Sequence, residues 1–253
     1  MIDLDNIYHI CVAKTGSMWI EGIFKHPLIN AYTSMPVYNF ESDRHGWDYR
    51  GFMDRHETEA FPKKTVCCPT YMGLDCYLQV PKPDKYKSFC VVRDPRDLVT
   101  SFYFSIMYSH AQMGLHPQWR QRLSRLDREN GFIEAIKILD EFQMFEASRS
   151  YRNCSDRDPN CKLYTFEDLT GENHFEVFKD LFAWLTIPVS SDELSKVLTE
   201  KSFERLSGRK KGQENEKHHY RKGVVGDWKN YFTENVEQNF YNTTGDLISH
   251  LEY

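Results

Sequence analysis

Residues 7–20 read IYHICVAKTGSMWI. The run from Ile7 to Ala13 has the apolar, partly β-branched composition of a buried strand, and Lys14-Thr15-Gly16-Ser17 has that of the turn leaving it. A helix is predicted to follow. Strand, short glycine loop and helix in that order put free backbone N–H groups and the positive end of a helix dipole where an anion binds. The loop departs from the G-x-x-x-x-G-K-[ST] phosphate motif, because Cys11 stands where the first glycine belongs and Lys14 precedes Gly16. Alone, the stretch fits a plain strand-to-helix turn equally well.

Further apolar runs lie at Thr65–Cys68, Ser88–Val92 and Lys162–Phe166, with helical spacing from Arg96 to about Tyr108, Gly131 to about Ser150 and Asn173 to about Leu185. This alternation predicts an α/β fold, a central parallel sheet flanked by helices, with a phosphate-binding loop after the first strand. Ser190 with Glu193 forms a capping box, and Thr233 caps a last helix. Two long irregular segments, about 27–63 and about 206–228, have the length of binding loops or lids. Residues 1–253 are read as one domain.

Composition narrows the class. Hydrophobic residues make up 40% of the 253 and aromatics 15%, enough for a sizeable core. The net charge of −5 argues against a general nucleic-acid binder, which carries a basic surplus to meet phosphates. No apolar run of about 18 residues and no signal peptide is visible, so a soluble chain with no membrane partner is expected. A leader or anchor ahead of the first strand stays open. Seven cysteines without zinc-site spacing read as free thiols of a reducing cytoplasm, with no metal site. The sequons at Asn153 and Asn242 are read as chance. Nothing in the sequence fixes an oligomeric state.

Two more stretches carry chemistry. In FCVVRDPRDLVTSFYFS, residues 89–105, a strand ends in Arg93, Pro95 opens a helix and Ser101 lies two turns on. Both Arg93 and Ser101 face the carboxyl ends of the strands, where open α/β sheets bind ligands. The plainer reading pairs Arg93 with Asp94 or Asp97. In HHYRKGVVGDWKNYF, residues 218–232, paired cations and glycines suit an anion, although a basic run alone is more often a solvated face.

Taken together, Lys14-Thr15-Gly16-Ser17-x-Trp19, Val92 to Ser101 and Arg221-Lys222-Gly223-x-x-Gly226-Asp227-Trp228-Lys229 resemble the three signature blocks of sulfotransferases that use 3′-phosphoadenosine 5′-phosphosulfate (PAPS), closest to the soluble small-molecule branch. The resemblance implies that Lys14 reaches the 5′-phosphosulfate and the leaving oxygen. Thr15, Gly16, Ser17 and Met18 would offer N–H groups there, and Ser17 a hydroxyl. Arg93 and Ser101 would hold the 3′-phosphate with Arg221, Lys222 and the N–H of Gly223. Trp19 would stack on adenine, with Phe203 as a second aromatic and Ser202 as a polar contact. For Phe203 the alternative is an ordinary core aromatic. The implied reaction is in-line transfer of a sulfuryl group to a hydroxyl or amine of a small organic acceptor, with cations and N–H groups steadying the charge.

The pattern fails at the base. The family's usual histidine ends the strand corresponding to KKTVCCPTY, where this chain has Cys67, Cys68, Pro69 and Thr70, and TFEDL carries Phe166 in place of the family tyrosine. Two histidines in flanking segments are candidate bases, His56 first and then His110, each with a surface-loop alternative; Asp54, Glu57, water or an acidic acceptor complete the choice. Tyr71 is expected in the same cavity. Rival functions are a carbohydrate sulfotransferase domain, a nucleotide-binding module without turnover, and a nucleoside kinase, which the defective phosphate motif disfavours.

Overall fold

β1 (Asn6–Cys11) is buried along its whole length, and its alternate residues feed two separate cores because successive side chains of a strand point to opposite faces. The computed structural model, which describes residues 2–44, 49–111 and 113–253, completes the sheet with β2 (Val37–Tyr38), β3 (Thr65–Tyr71), β4 (Tyr86–Val92) and β5 (Cys161–Thr165). All pairs are parallel, in the order β2-β3-β1-β4-β5. Tyr8, Ile10, Cys90 and Val92 pack with helices Pro95–Phe104, Arg128–Glu141 and Glu234–Thr244. Ile7, Val66, Phe89 and Val91 pack on the other side with helices Ser17–Phe24, His174–Trp184 and Ser191–Glu200.

From β1 the chain builds the sheet outward in one direction through β3 and β2, and in the other through β4 and β5. The crevice where those directions part, beyond the carboxyl ends of β1 and β4, is where open sheets of this kind bind ligands. Cys11 pairs with Val91, so Lys14 and Arg93 leave the sheet side by side. β3 pairs with β1 through a one-residue shift between Tyr8 and Ile10, at the level where Pro69 has no N–H to give the ladder.

The predicted sheet and the two caps are present. Ser190 and Glu193 form the reciprocal box, and Thr233 Oγ1 accepts from Val236 N. Other expectations need correction. β1 stops at Cys11, because Val12 O already accepts the Thr15 hydroxyl at 2.9 Å and begins the turn. Segment 27–63 is not wholly irregular: Pro27 opens a helix to Thr33, capped by His26 Nδ1, which accepts from Leu28 N. The helix expected over 131–150 breaks, since Gln143 adopts φ 58° and its Oε1 accepts from Met53 N at 3.0 Å. That contact leaves no room for a side chain at Gly51. The helix expected to reach Tyr108 turns at Ser105–Ser109 into a wider π-type turn, closed by His110 N donating to Ser105 O at 2.8 Å.

One buried carboxylate joins the carboxyl-terminal block to this frame. Asp97, with no exposed surface, accepts from Gly226 N at 2.7 Å and from Trp228 N at 2.9 Å, and it faces Arg93 Nη2 at 3.7 Å. Removing it strands two N–H donors and a largely buried guanidinium. Asp97→Ala is therefore expected to lower unfolding free energy by about 3–5 kcal/mol in urea denaturation, with Asp97→Asn losing less. A loss below about 1 kcal/mol for the alanine variant would contradict this role.

Candidate active site

The carboxyl ends of β1 and β4 open into a cavity of about 540 Å³. Lys14, Gly16, Ser17, Met18, Trp19, Arg93, Ser101, Ser202, Phe203, Arg221, Lys222 and Gly223 all line it. Cations separated by as much as 208 positions in sequence thus share one space, the arrangement that the three blocks imply.

The amino-terminal loop is shaped for close approach. Lys14 and Gly16 both take positive φ, 73° and 79°, and a Cβ at Gly16 would meet the Phe166 ring at 2.8 Å. Trp19 N and Ile20 N return to Gly16 O. The N–H groups of Ser17 and Met18, at the start of the helix, take no partner among the described residues, and point-of-entry N–H groups of this kind suit an anion. Thr15 does not line the cavity; its hydroxyl is turned inward to Val12 O, so only its backbone is left for a ligand.

Arg93 donates through Nη1 to Lys14 O at 3.0 Å, and its guanidinium lies 4.4 Å above the Phe166 ring. The aspartate pairing weighed against a ligand role thus coexists with a place on the cavity wall, and its buried Nε has no partner among the described residues. Phe166, which replaces the family tyrosine, packs between Gly16 and Arg93 and so supports both. Arg221 and Lys222 are both held by Asp227; Arg221 also pairs with Glu214 and covers the Phe104 ring at 4.2 Å. Gly223, at φ 68°, packs against Phe203, where a Cβ would come within 2.5 Å of the ring. Trp19 Nε1 donates to Lys201 O at 2.8 Å, which fixes the plane of the indole. The Ser202 hydroxyl accepts from Arg205 N at 3.3 Å, an ordinary helix cap.

Lys14 Nζ donates to Ser105 Oγ at 2.7 Å and stands 3.4 Å from His110 Nε2. Both partners come from the π-type turn and its end. Burial, then Arg93 and Arg221, push the Lys14 ammonium down to about 7. His110 is held down to about 2, first by burial and then by Lys14 and neighbouring histidines, so it is neutral in the unliganded site. His116 lies 4.6 Å from His110, ring to ring, and His219 lies 6.1 Å away. Burial pushes His219 down to about 4.

His56 is the clear correction. It does not line the cavity; it is exposed, with Nδ1 at 3.0 Å from Gln79 Oε1. Its neighbours Arg55 and Glu57 take the inward positions, and Arg55 pairs with Glu41 and donates to Tyr71 O at 3.0 Å. Asp54 is exposed and Glu57 pairs with Arg50, so neither reaches the cavity. His110 and Tyr71 do line it. His116 and His219 were not singled out from sequence, although His219 lies two residues before Arg221 and the signal was therefore adjacent. Beyond the three cation-bearing blocks the walls are largely apolar, with Phe52, Phe102, Ile106, Trp119 and Phe142, and the Arg55–Glu41 pair beside Phe52. Of the segment 27–63 expected to hold binding loops, residues 45–48 lie outside the described residues, as does residue 112 beyond His110.

Comparison with known proteins identifies the family and the fold. A family model of the sulfotransferase domain matches residues 5–251. Sulfotransferase 6B1 of Danio rerio is 26% identical over 157 residues, 59% of this chain and 48% of that protein, so the chain spans about half the length of this curated relative. Mouse sulfotransferase SULT7A1, solved in complex with PAP, superposes with a TM-score of 0.63 at 19% identity, covering 96% of this chain and 84% of that one. Retinol dehydratase, solved with androsterone and the inactive cofactor PAP, gives a TM-score of 0.63 at 15% identity, covering 96% and 80%. The structures share the fold, and the domain match spans almost the whole sequence: the chain belongs to the sulfotransferase family.

Proposed function

We propose that the cavity binds PAPS and passes its sulfuryl group in line to a hydroxyl or amine of a small organic acceptor. The observation that carries this is the meeting of Lys14, Arg93, Ser101, Arg221 and Lys222 at one cavity with an apolar end. Two anchored phosphates need cations from two places, and this donor differs from ATP by its 3′-phosphate. Arg93, Ser101, Arg221, Lys222 and the Gly223 N–H hold the 3′-phosphate; Lys14, Ser17 and the first helical N–H groups hold the 5′ end. Trp19 and Phe203 flank the base.

The sulfur–oxygen bond to the 5′-phosphate breaks and its electron pair stays on the phosphate oxygen, where Lys14 and the loop N–H groups meet the growing charge. His110 takes the acceptor proton. Burial, then Lys14 and the other neighbouring charges, keep it neutral, and the donor's negative charges raise its basicity by offsetting the cationic part of that effect. Among the described residues no helix is long and apolar enough to cross a membrane. All seven cysteines are free, which supports a reducing, cytoplasmic setting.

Thermal shift with 3′,5′-bisphosphoadenosine (PAP) should raise the melting temperature, with little effect from ATP and magnesium. Arg93→Ala and Arg221→Ala should each weaken PAP binding about 10- to 100-fold, the scale of lost hydrogen bonds to a charged group. Unchanged affinity in both would remove this reading. His110→Ala should leave PAP affinity intact and slow transfer about 100-fold or more; full turnover would return the base to the other candidates.

The Lys14 value of about 7 sets a pH window. Above it the free site must take up a proton to bind the anion with a charged lysine. The PAP dissociation constant measured by calorimetry should therefore rise between pH 7 and 9, by up to about tenfold per unit. Lys14→Met should bind more weakly and lose that slope; a wild-type affinity flat across the window would contradict the assignment.

A further inference from the structure

β3 ends at Tyr71, on the strand whose end lacks the histidine described above. The Tyr71 ring lines the cavity and its hydroxyl stands 2.6 Å from Ser17 Oγ. Its ring sits 6.0 Å from that of Phe52, and its carbonyl accepts from Arg55 Nη1 at 3.0 Å. Tyr71 is therefore seated by residues of the apolar end, and it reaches across to the first residue of the helix that opens the anion loop.

Two hydroxyls at this distance share one proton between them, and the direction matters. Burial pushes the Tyr71 phenol far above its ordinary value, so it keeps its proton at any working pH. A phenol is also the stronger acid of the two and hence the better donor. When Tyr71 donates to Ser17 Oγ, the serine proton is left to point into the cavity, and hydrogen bonds in such a chain reinforce one another.

We propose that Tyr71 is the outer member of a two-hydroxyl relay, Tyr71 to Ser17 to the 5′-phosphate of the donor, which fixes the direction of the serine proton. The inference rests on the donor-binding reading above. Tyr71 is a positioning residue: it acts through Ser17 and gives up no proton. During transfer the serine hydroxyl faces the oxygen on which the leaving electron pair settles, while the acceptor proton goes to His110. The strand end that lacks a base thus serves the leaving group.

Equilibrium binding separates this relay from simple packing. PAP and adenosine 3′-monophosphate, which lacks the 5′-phosphate, are titrated calorimetrically into the wild type, Tyr71→Phe, Ser17→Ala and the double variant, with melting curves to confirm folding. Tyr71→Phe is expected to weaken PAP binding about five- to tenfold, the scale of one hydrogen bond, and to leave the monophosphate within about twofold. The double variant should bind PAP no more weakly than Ser17→Ala, because the two changes break one chain. PAP affinity unchanged in Tyr71→Phe, an equal loss for both nucleotides, or multiplying losses in the double variant would overturn the relay. Should Tyr71→Phe not fold, Ser17→Ala carries the same two-ligand comparison, and an equal loss for both ligands again overturns it. A wild type that binds neither nucleotide would remove the donor reading, and the relay with it.

Discussion

The Asp97 carboxylate is the constraint on which the site depends. It sits without exposure at the start of the helix after β4, accepts from Gly226 N and Trp228 N, and faces Arg93. Through it, a loop more than a hundred residues later in the chain is docked onto the strand end that carries Arg93. That tie fixes the base of the loop whose Arg221 and Lys222 line the cavity. Two N–H donors on one buried carboxylate form a charge-assisted arrangement, stronger than neutral hydrogen bonds and specific in direction.

Bringing several cations into one cavity has an electrostatic cost, and the structure shows how the chain meets it. Asp227 holds Arg221 and Lys222, Asp97 faces Arg93, and Lys14 responds by a lowered proton affinity. Burial is the larger cause of that shift and of the neutrality of His110 and His219, with the neighbouring cations adding to it. On the proposed reading, a donor entering this space would charge Lys14, raise the basicity of His110 and compete with Asp227 for its two cations, so that donor binding and activation of the acceptor would be coupled through the field of one small region.

Much of the fold was legible because its signals are local. The apolar runs, the Ser190 capping box and the strand-loop-helix unit at Lys14 each state their structure within a few residues. The meeting of the three blocks at one cavity was legible through spacing and resemblance together, since no block alone separates a phosphate site from a turn or an ion pair. What escaped was set by distant partners. Gln143 leaves the helical path to hold Met53, and the π-type turn at Ser105–Ser109 swings His110 to Lys14. His56 lost its expected role to its neighbour Arg55, which turns inward to Glu41 and Tyr71. A two-residue edge strand such as Val37–Tyr38 is too short to leave a periodic signal. The short helix at Pro27 did leave one, a proline at its first position.

A crystal structure of the chain with PAP is the decisive measurement. The 3′-phosphate should lie within hydrogen-bonding distance of Arg93, Ser101 and Arg221, and the 5′-phosphate against Lys14 and Ser17 in the same cavity. A nucleotide bound with its two phosphates away from these side chains, or one of these cations pointing into a separate region, would contradict the donor-binding reading.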